Sequence, residues 1–140
     1  MGLSEEIVAL AQEFTGLKKA CAGEDDVLGT FGLEGDDADE FLEAYAQQFG
    51  VDISDFVYYF HYLGDEPPMG RRVLPVDESG REIPWVPVTL NHLIDAASSK
   101  KWQMKYPNHT IRNRWWVSFG IYGIAMLGGI ALLMIMSALI

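Results

Sequence analysis

The chain has 140 residues, enough for one small domain and a single further segment, and its 20 acidic against 10 basic side chains give a net charge of −10. The charge is uneven: residues 1–66 hold 16 acidic and 2 basic side chains, residues 67–140 hold 4 acidic and 8 basic. An acidic half with no basic patch cannot replace phosphate counterions, which excludes nucleic acid as a partner and favours a protein with a basic surface. Cys21 is the single cysteine, so a disulfide framework and a zinc constellation are excluded as well.

At the N-terminus Glu5 and Glu6 stand where a signal peptide would carry positive charge, and Glu6 replaces the Ser or Thr that myristoylation requires, so neither signal is expected. Ser4 is placed to cap a first helix over residues 4–16, with Ile7, Leu10, Ala11 and Phe14 on its buried face. A long polar loop follows over residues 18–29, with a turn of helix near residues 26–28. Phe31 and Leu33 then lead into an acidic turn of Glu34, Gly35, Asp36 and Asp37. Asp36 is a good N-cap for a helix over residues 36–49, with Asp39 and Glu40 in the first turn, where the helix end favours negative charge. Phe41, Leu42, Tyr45, Ala46 and Phe49 recur at spacings of three and four, and Gly50 ends the helix.

This stretch resembles helix II of acyl carrier proteins and the turn before it, where an acidic residue, a serine, a hydrophobic residue and an aspartate precede a helix closed by a phenylalanine. With Phe49 set on that closing position, Gly35 takes the place of the serine that carries phosphopantetheine. The resemblance is closest to a bacterial family of acyl-carrier-like proteins of unknown function, whose turn reads Gly-Asp-Asp-Ala instead of the serine motif, and it covers about residues 1–103. It implies a carrier-shaped domain that cannot carry, because glycine offers no hydroxyl oxygen and the nearest hydroxyls, Thr30 and Ser54, lie outside the turn. No cofactor is therefore expected. The resemblance further implies that Asp36, Asp37, Asp39, Glu40 and Glu43 dock on a basic patch of a partner, as carrier proteins dock on their enzymes.

Ser54 is placed to cap a short third helix over residues 55–62, rich in aromatic residues. His61, His92 and His109 each lack a second ligand or base partner at useful spacing, so they read as packed structural residues, and neither a catalytic set nor a metal site is expected. Residues 64–88 depart from the carrier pattern. Gly64, Asp65, Glu66, Pro67 and Pro68 form a turn, and residues 73–76 and 83–88 can pair as a short hairpin across residues 77–80, limited by Pro75, Pro84 and Pro87. Trp85 is either an exposed aromatic for partner recognition or a ring folded onto the core. Thr89 caps a fourth helix with Leu90, Leu93, Ile94 and Ala97 on one face and Lys100 and Lys101 at its C-terminus. The expected core comprises Leu90, Leu93, Phe14, Leu42, Tyr45 and Phe49.

Residues 104–114 read as a basic connector, and residues 115–140 contain no charged side chain. As a helix these 26 residues would reach ~39 Å against a hydrocarbon core of ~30 Å. The reading is a single-pass transmembrane helix with Arg112, Arg114, Trp115 and Trp116 at the interface and the N-terminal domain in the cytoplasm of a bacterial inner membrane. The sequon at Asn108, His109 and Thr110 is discounted on that topology. Ala125 and Gly129, four apart, are placed for close helix–helix packing with a membrane-protein partner. The expected fold is thus all-α in the main: an acyl-carrier-like bundle with an inserted loop or hairpin and one transmembrane helix in contact with lipid. The expected function is a non-enzymatic, membrane-tethered binding module or accessory subunit. The alternatives are an immunity-type inhibitor and a carrier with another attachment residue.

Overall fold

The computed structural model describes residues 2–64, 71–114 and 116–139, with the backbone alone for residues 116–121. Its helices are α1 (Leu3–Thr15), α2 (Val27–Thr30), α3 (Gly35–Phe49), α4 (Leu90–Ser99) and α5 (Trp116–Ala138). A 3-10 turn spans Tyr58–Phe60, and two strands, β1 (Val73–Val76) and β2 (Thr110–Asn113), form an antiparallel pair. The fold is therefore mixed α/β, which corrects the expectation of an all-α bundle.

The core forms where three amphipathic helices turn their apolar faces together. α1 packs chiefly on α4 and also on α3. Ile7 and Ala11 of α1 meet Phe41, Leu42, Tyr45 and Phe49 of α3 and Leu90, Leu93 and Ala97 of α4, all of them buried. Tyr45 is buried with them and its hydroxyl donates to the Leu93 carbonyl at 2.5 Å, so the polar tip is satisfied and α3 is tied to α4. Burial pushes the Tyr45 phenol well above its usual range. Phe14 departs from expectation: it lies at the rim, 36% exposed, touching Phe41 edge-on.

The long first loop has a definite task. The first amides of a helix have no partner within it. Leu90 and Asn91 donate theirs to the carbonyls of Asp25 and Gly23, at 3.1 and 2.9 Å, and the His92 amide donates to Thr89 Oγ1 at 3.2 Å. The loop over residues 18–26 thus caps α4. At the other end of α3, Gly50 takes the left-handed conformation (φ 65°), and Lys100 reaches back to donate its Nζ to the Phe49 carbonyl at 2.7 Å.

α3 begins one residue earlier than expected, with Glu34 at the N-cap and no side-chain cap. The third helix does not form. Phe56, Phe60 and His61 donate to carbonyls three residues back, giving a 3-10 pattern, because the aromatic side chains pack in several directions and an α-helix offers only one stripe. Phe56 meets Trp102 edge-on, whereas Phe60 stacks on Tyr106.

The hairpin expectation is corrected too. β1 pairs with β2, in the register Val73↔Asn113, Leu74↔Arg112, Pro75↔Ile111 and Val76↔Thr110. On its other edge, among the described residues, it makes one bridge, Val76 to Glu82, flanked by two bonds, from the Ile83 amide to the Pro75 carbonyl and from the Asp77 amide to the Arg81 carbonyl, both at 2.9 Å. The proline explains the choice. The polar groups of a strand residue point to one side, and the Pro75 side, lacking a donor, faces Ile83; the edge toward β2 keeps its donors. Residues 77–80 turn as expected, with Asp77 Oδ1 accepting from the Ser79 and Arg81 amides. Residues 65–68 of the expected turn lie outside the described residues.

α5 is a 23-residue helix, yet among the described residues no helix is long and apolar enough to cross a membrane. The expectations of a tail anchor, a single-pass protein and an inner-membrane location are corrected accordingly. Arg112 lies in β2 and Arg114 donates its amide to the Arg72 carbonyl at 2.8 Å, so both belong to the sheet region. Trp115 and the side chain of Trp116 lie outside the described residues.

The packing ranks two core positions. Leu93→Ala, at a fully buried site, should lower unfolding free energy by ~2–5 kcal/mol. Phe14→Ala should cost less than about half of that. Denaturant unfolding of the full chain measures both, and equal losses would contradict the placement of Phe14 at the rim.

Candidate functional site

Helical geometry gathers the acidic residues of α3. At ~100° per residue, Asp36, Asp39, Glu40 and Glu43 project within an arc of about 100°, with Asp37 beside them and the buried stripe of Phe41, Leu42, Tyr45 and Phe49 opposite. All five carboxylates are exposed. Among the described residues the ion pairs are Arg71 with Glu82, Arg81 with Asp77 and Lys101 with Asp55, so none involves this face. Only Asp39 is engaged, accepting a short hydrogen bond from the Tyr62 hydroxyl. Asp36 with Glu40, and Asp39 with Glu43, are like charges four apart, a spacing that costs a helix ~0.2–0.5 kcal/mol per pair.

At the head of this helix Gly35 has φ 56°, and its amide donates to the Leu63 carbonyl at 3.1 Å. A Cβ placed there would meet nothing nearer than the Gly64 carbonyl oxygen at 3.9 Å. The obstacle to a serine is conformational, since the left-handed region costs an L-residue roughly 1–2 kcal/mol. Gly35 therefore suits the backbone it adopts.

Trp85, left open by the sequence between two placements, is 44% exposed. The guanidinium of Arg71 lies over its ring, 3.5 Å from the centroid. Arg71 is buried and donates to the carbonyls of Tyr59 at 2.8 Å and Ile83 at 2.5 Å, and it pairs with Glu82 at 3.3 Å. Burial lowers its pKa and Glu82 counters the shift. The Val86 amide adds a bond to the Phe60 carbonyl at 2.8 Å. The extended segment carrying Trp85 is thereby held on the 3-10 turn, and the indole is fixed with one face outward.

Between this segment and the start of α3 lies an open groove of about 270 Å³. Leu28, Leu33 and Leu63 make its apolar surface, Tyr62 and Trp85 its aromatic walls, and Asp26 and Glu34 its charged rim. The fold thus brings Trp85 close to the acidic helix, a relation that 50 residues of sequence separation hid. The signal available was composition alone: a tryptophan flanked by Pro84 and Pro87 in a segment with few amide donors. Nothing in the sequence marked Arg71 or Leu63. Ala125 and Gly129 are exposed on α5, and space above Gly129 is open, so among the described residues no helix packs against them. Among the described residues no group of His, Cys, Asp and Glu could hold a metal ion.

The three histidines are bound into the scaffold. His92 Nδ1 accepts from the Thr89 amide, and His109 joins Tyr59 at 2.8 Å and the Pro107 carbonyl at 2.9 Å. His61 lines the groove, with Nδ1 2.7 Å from the Val86 carbonyl and Nε2 2.8 Å from the Tyr106 hydroxyl. Nδ1 must carry the proton, because a carbonyl only accepts. Burial holds the imidazole neutral, pulling its pKa from 6.5 to about 4. The unfolded chain therefore takes up this proton first, and His61 makes stability fall as pH drops from 6.5 towards about 4, by up to ~3 kcal/mol. Above pH 6.5 its contribution is complete. Unfolding of the wild type and of His61→Asn across this window should differ by that slope, and parallel profiles would show that the imidazole is not held neutral.

No protein-family model matches the chain, and no curated protein and no solved structure matches it either.

Proposed function

We propose that this chain is a non-enzymatic protein-binding module that docks the acidic face of α3 on a basic surface of a partner protein. The observation that carries this reading is the set of five exposed carboxylates, free of ion pairs among the described residues and kept at like-charge spacings that weaken the helix locally. A concentrated single-sign field of this kind raises the local concentration of an oppositely charged partner and speeds its approach. The resemblance of the turn at Glu34, Gly35, Asp36 and Asp37 to that of acyl carrier proteins supports the same reading, since carriers present helix II to their enzymes. Gly35 removes the attachment hydroxyl, so recognition without cargo is the role proposed here.

Two measurements test this. Asp37→Lys combined with Glu40→Lys should reduce capture of the partner from an extract of the source cells by roughly tenfold or more at low ionic strength, and little at high salt, where such fields are screened. Glu13→Lys, exposed on α1, serves as the charge control. Unchanged capture by the double variant overturns the docking claim. Intact-mass analysis after incubation with a phosphopantetheinyl transferase and coenzyme A should show no added arm, whereas a gain of the arm's mass would make the protein a carrier.

A further inference from the structure

The groove beside α3 adds a second recognition element to the acidic face, and the argument for it rests on the docking reading above. Its apolar surface is shaped by Leu28, Leu33 and Leu63. Gly32 contributes no side chain, and a Cβ there would point into open space, so the groove is not filled from that side. Trp85 stands as a pre-set wall: the stack on Arg71 and the three polar contacts of that guanidinium fix the ring before any partner arrives. A rigid, partly exposed tryptophan beside a small apolar recess is the kind of site in which a single buried side chain carries much of an interface's affinity.

Charge selects what can enter. The rim residues that bear charge are Asp26 and Glu34, and one turn further lie Asp36 and Asp37. The nearby Arg71 is buried and paired with Glu82, so its charge is turned away from the opening. An apolar recess inside an acidic rim complements an apolar side chain inside a basic sequence. We infer that the partner docks by inserting one aliphatic side chain, flanked by lysine or arginine, between Trp85 and Leu63 while its basic residues engage the rim and the acidic face of α3.

Paired synthetic peptides test this on the full chain: a central leucine or a central alanine, with lysines on both sides, titrated by calorimetry. The leucine peptide should bind roughly tenfold or more tightly than the alanine peptide, since burial of the extra methylenes accounts for that ratio. Leu63→Trp, which fills the groove without changing charge, should abolish the leucine advantage and leave alanine-peptide binding and its salt dependence intact. Asp37→Lys with Glu40→Lys should weaken both peptides alike. Equal binding of the two peptides, or a leucine advantage that survives Leu63→Trp, overturns the groove inference while the acidic docking face stands. Failure of both peptides to bind overturns the docking reading and the inference together.

Discussion

A buried guanidinium organises the half of this protein that carries Trp85. Removing Arg71 from water costs several kcal/mol unless its donors find acceptors. It finds them in two separate segments: the Tyr59 carbonyl of the 3-10 turn, and the Ile83 carbonyl and Glu82 of the extended stretch. Nε is buried without a hydrogen-bond partner among the described residues, and the stack on Trp85 supplies part of the compensation, a contact of the kind worth up to ~2 kcal/mol when desolvated. This side chain therefore fastens one end of the extended segment and sets which face of Trp85 is outward.

The helical half rests on a different economy. α1, α3 and α4 bury one stripe each, and the ends of α3 and α4 are closed by groups distant in sequence: loop carbonyls of Gly23 and Asp25 at the start of α4, and the Lys100 ammonium at the end of α3. With its inner face held by Phe41, Tyr45 and Phe49, α3 tolerates repulsion on its outer face. A few tenths of a kcal/mol per like-charged pair is small beside the burial of three aromatic rings. Packing thus permits a charge pattern that an isolated helix would resist.

Polar satisfaction in the aromatic region links these halves. The Tyr106 hydroxyl accepts from the Val57 amide at 3.2 Å and from Trp102 Nε1 at 3.0 Å, and it meets His61 Nε2, whose other nitrogen bonds to Val86. The segment that carries Trp85 is consequently fastened at Ile83 through Arg71 and at Val86 through His61 and the Phe60 carbonyl. Two fixed points on either side of one tryptophan make its position a property of the fold.

The sequence by itself determined the features whose physics is local. The buried stripe of α3 and its Gly50 terminus, the Thr89 cap of α4, the turn at residues 77–80 and the outward acidic stripe all follow from contacts within four residues, whereas the start of α3 falls at Glu34 and not at the Asp36 cap. Only the tertiary structure decided the rest. The strand partner of β1 depended on which of its edges Pro75 had stripped of a donor, and residues 110–113 lay 37 positions away, beyond any local signal. The 3-10 turn replaced a helix because its aromatic rings answer to Trp102 and Tyr106. The groove, likewise, joins Leu28 and Leu33 to Leu63 and Trp85, which no local signal brings together.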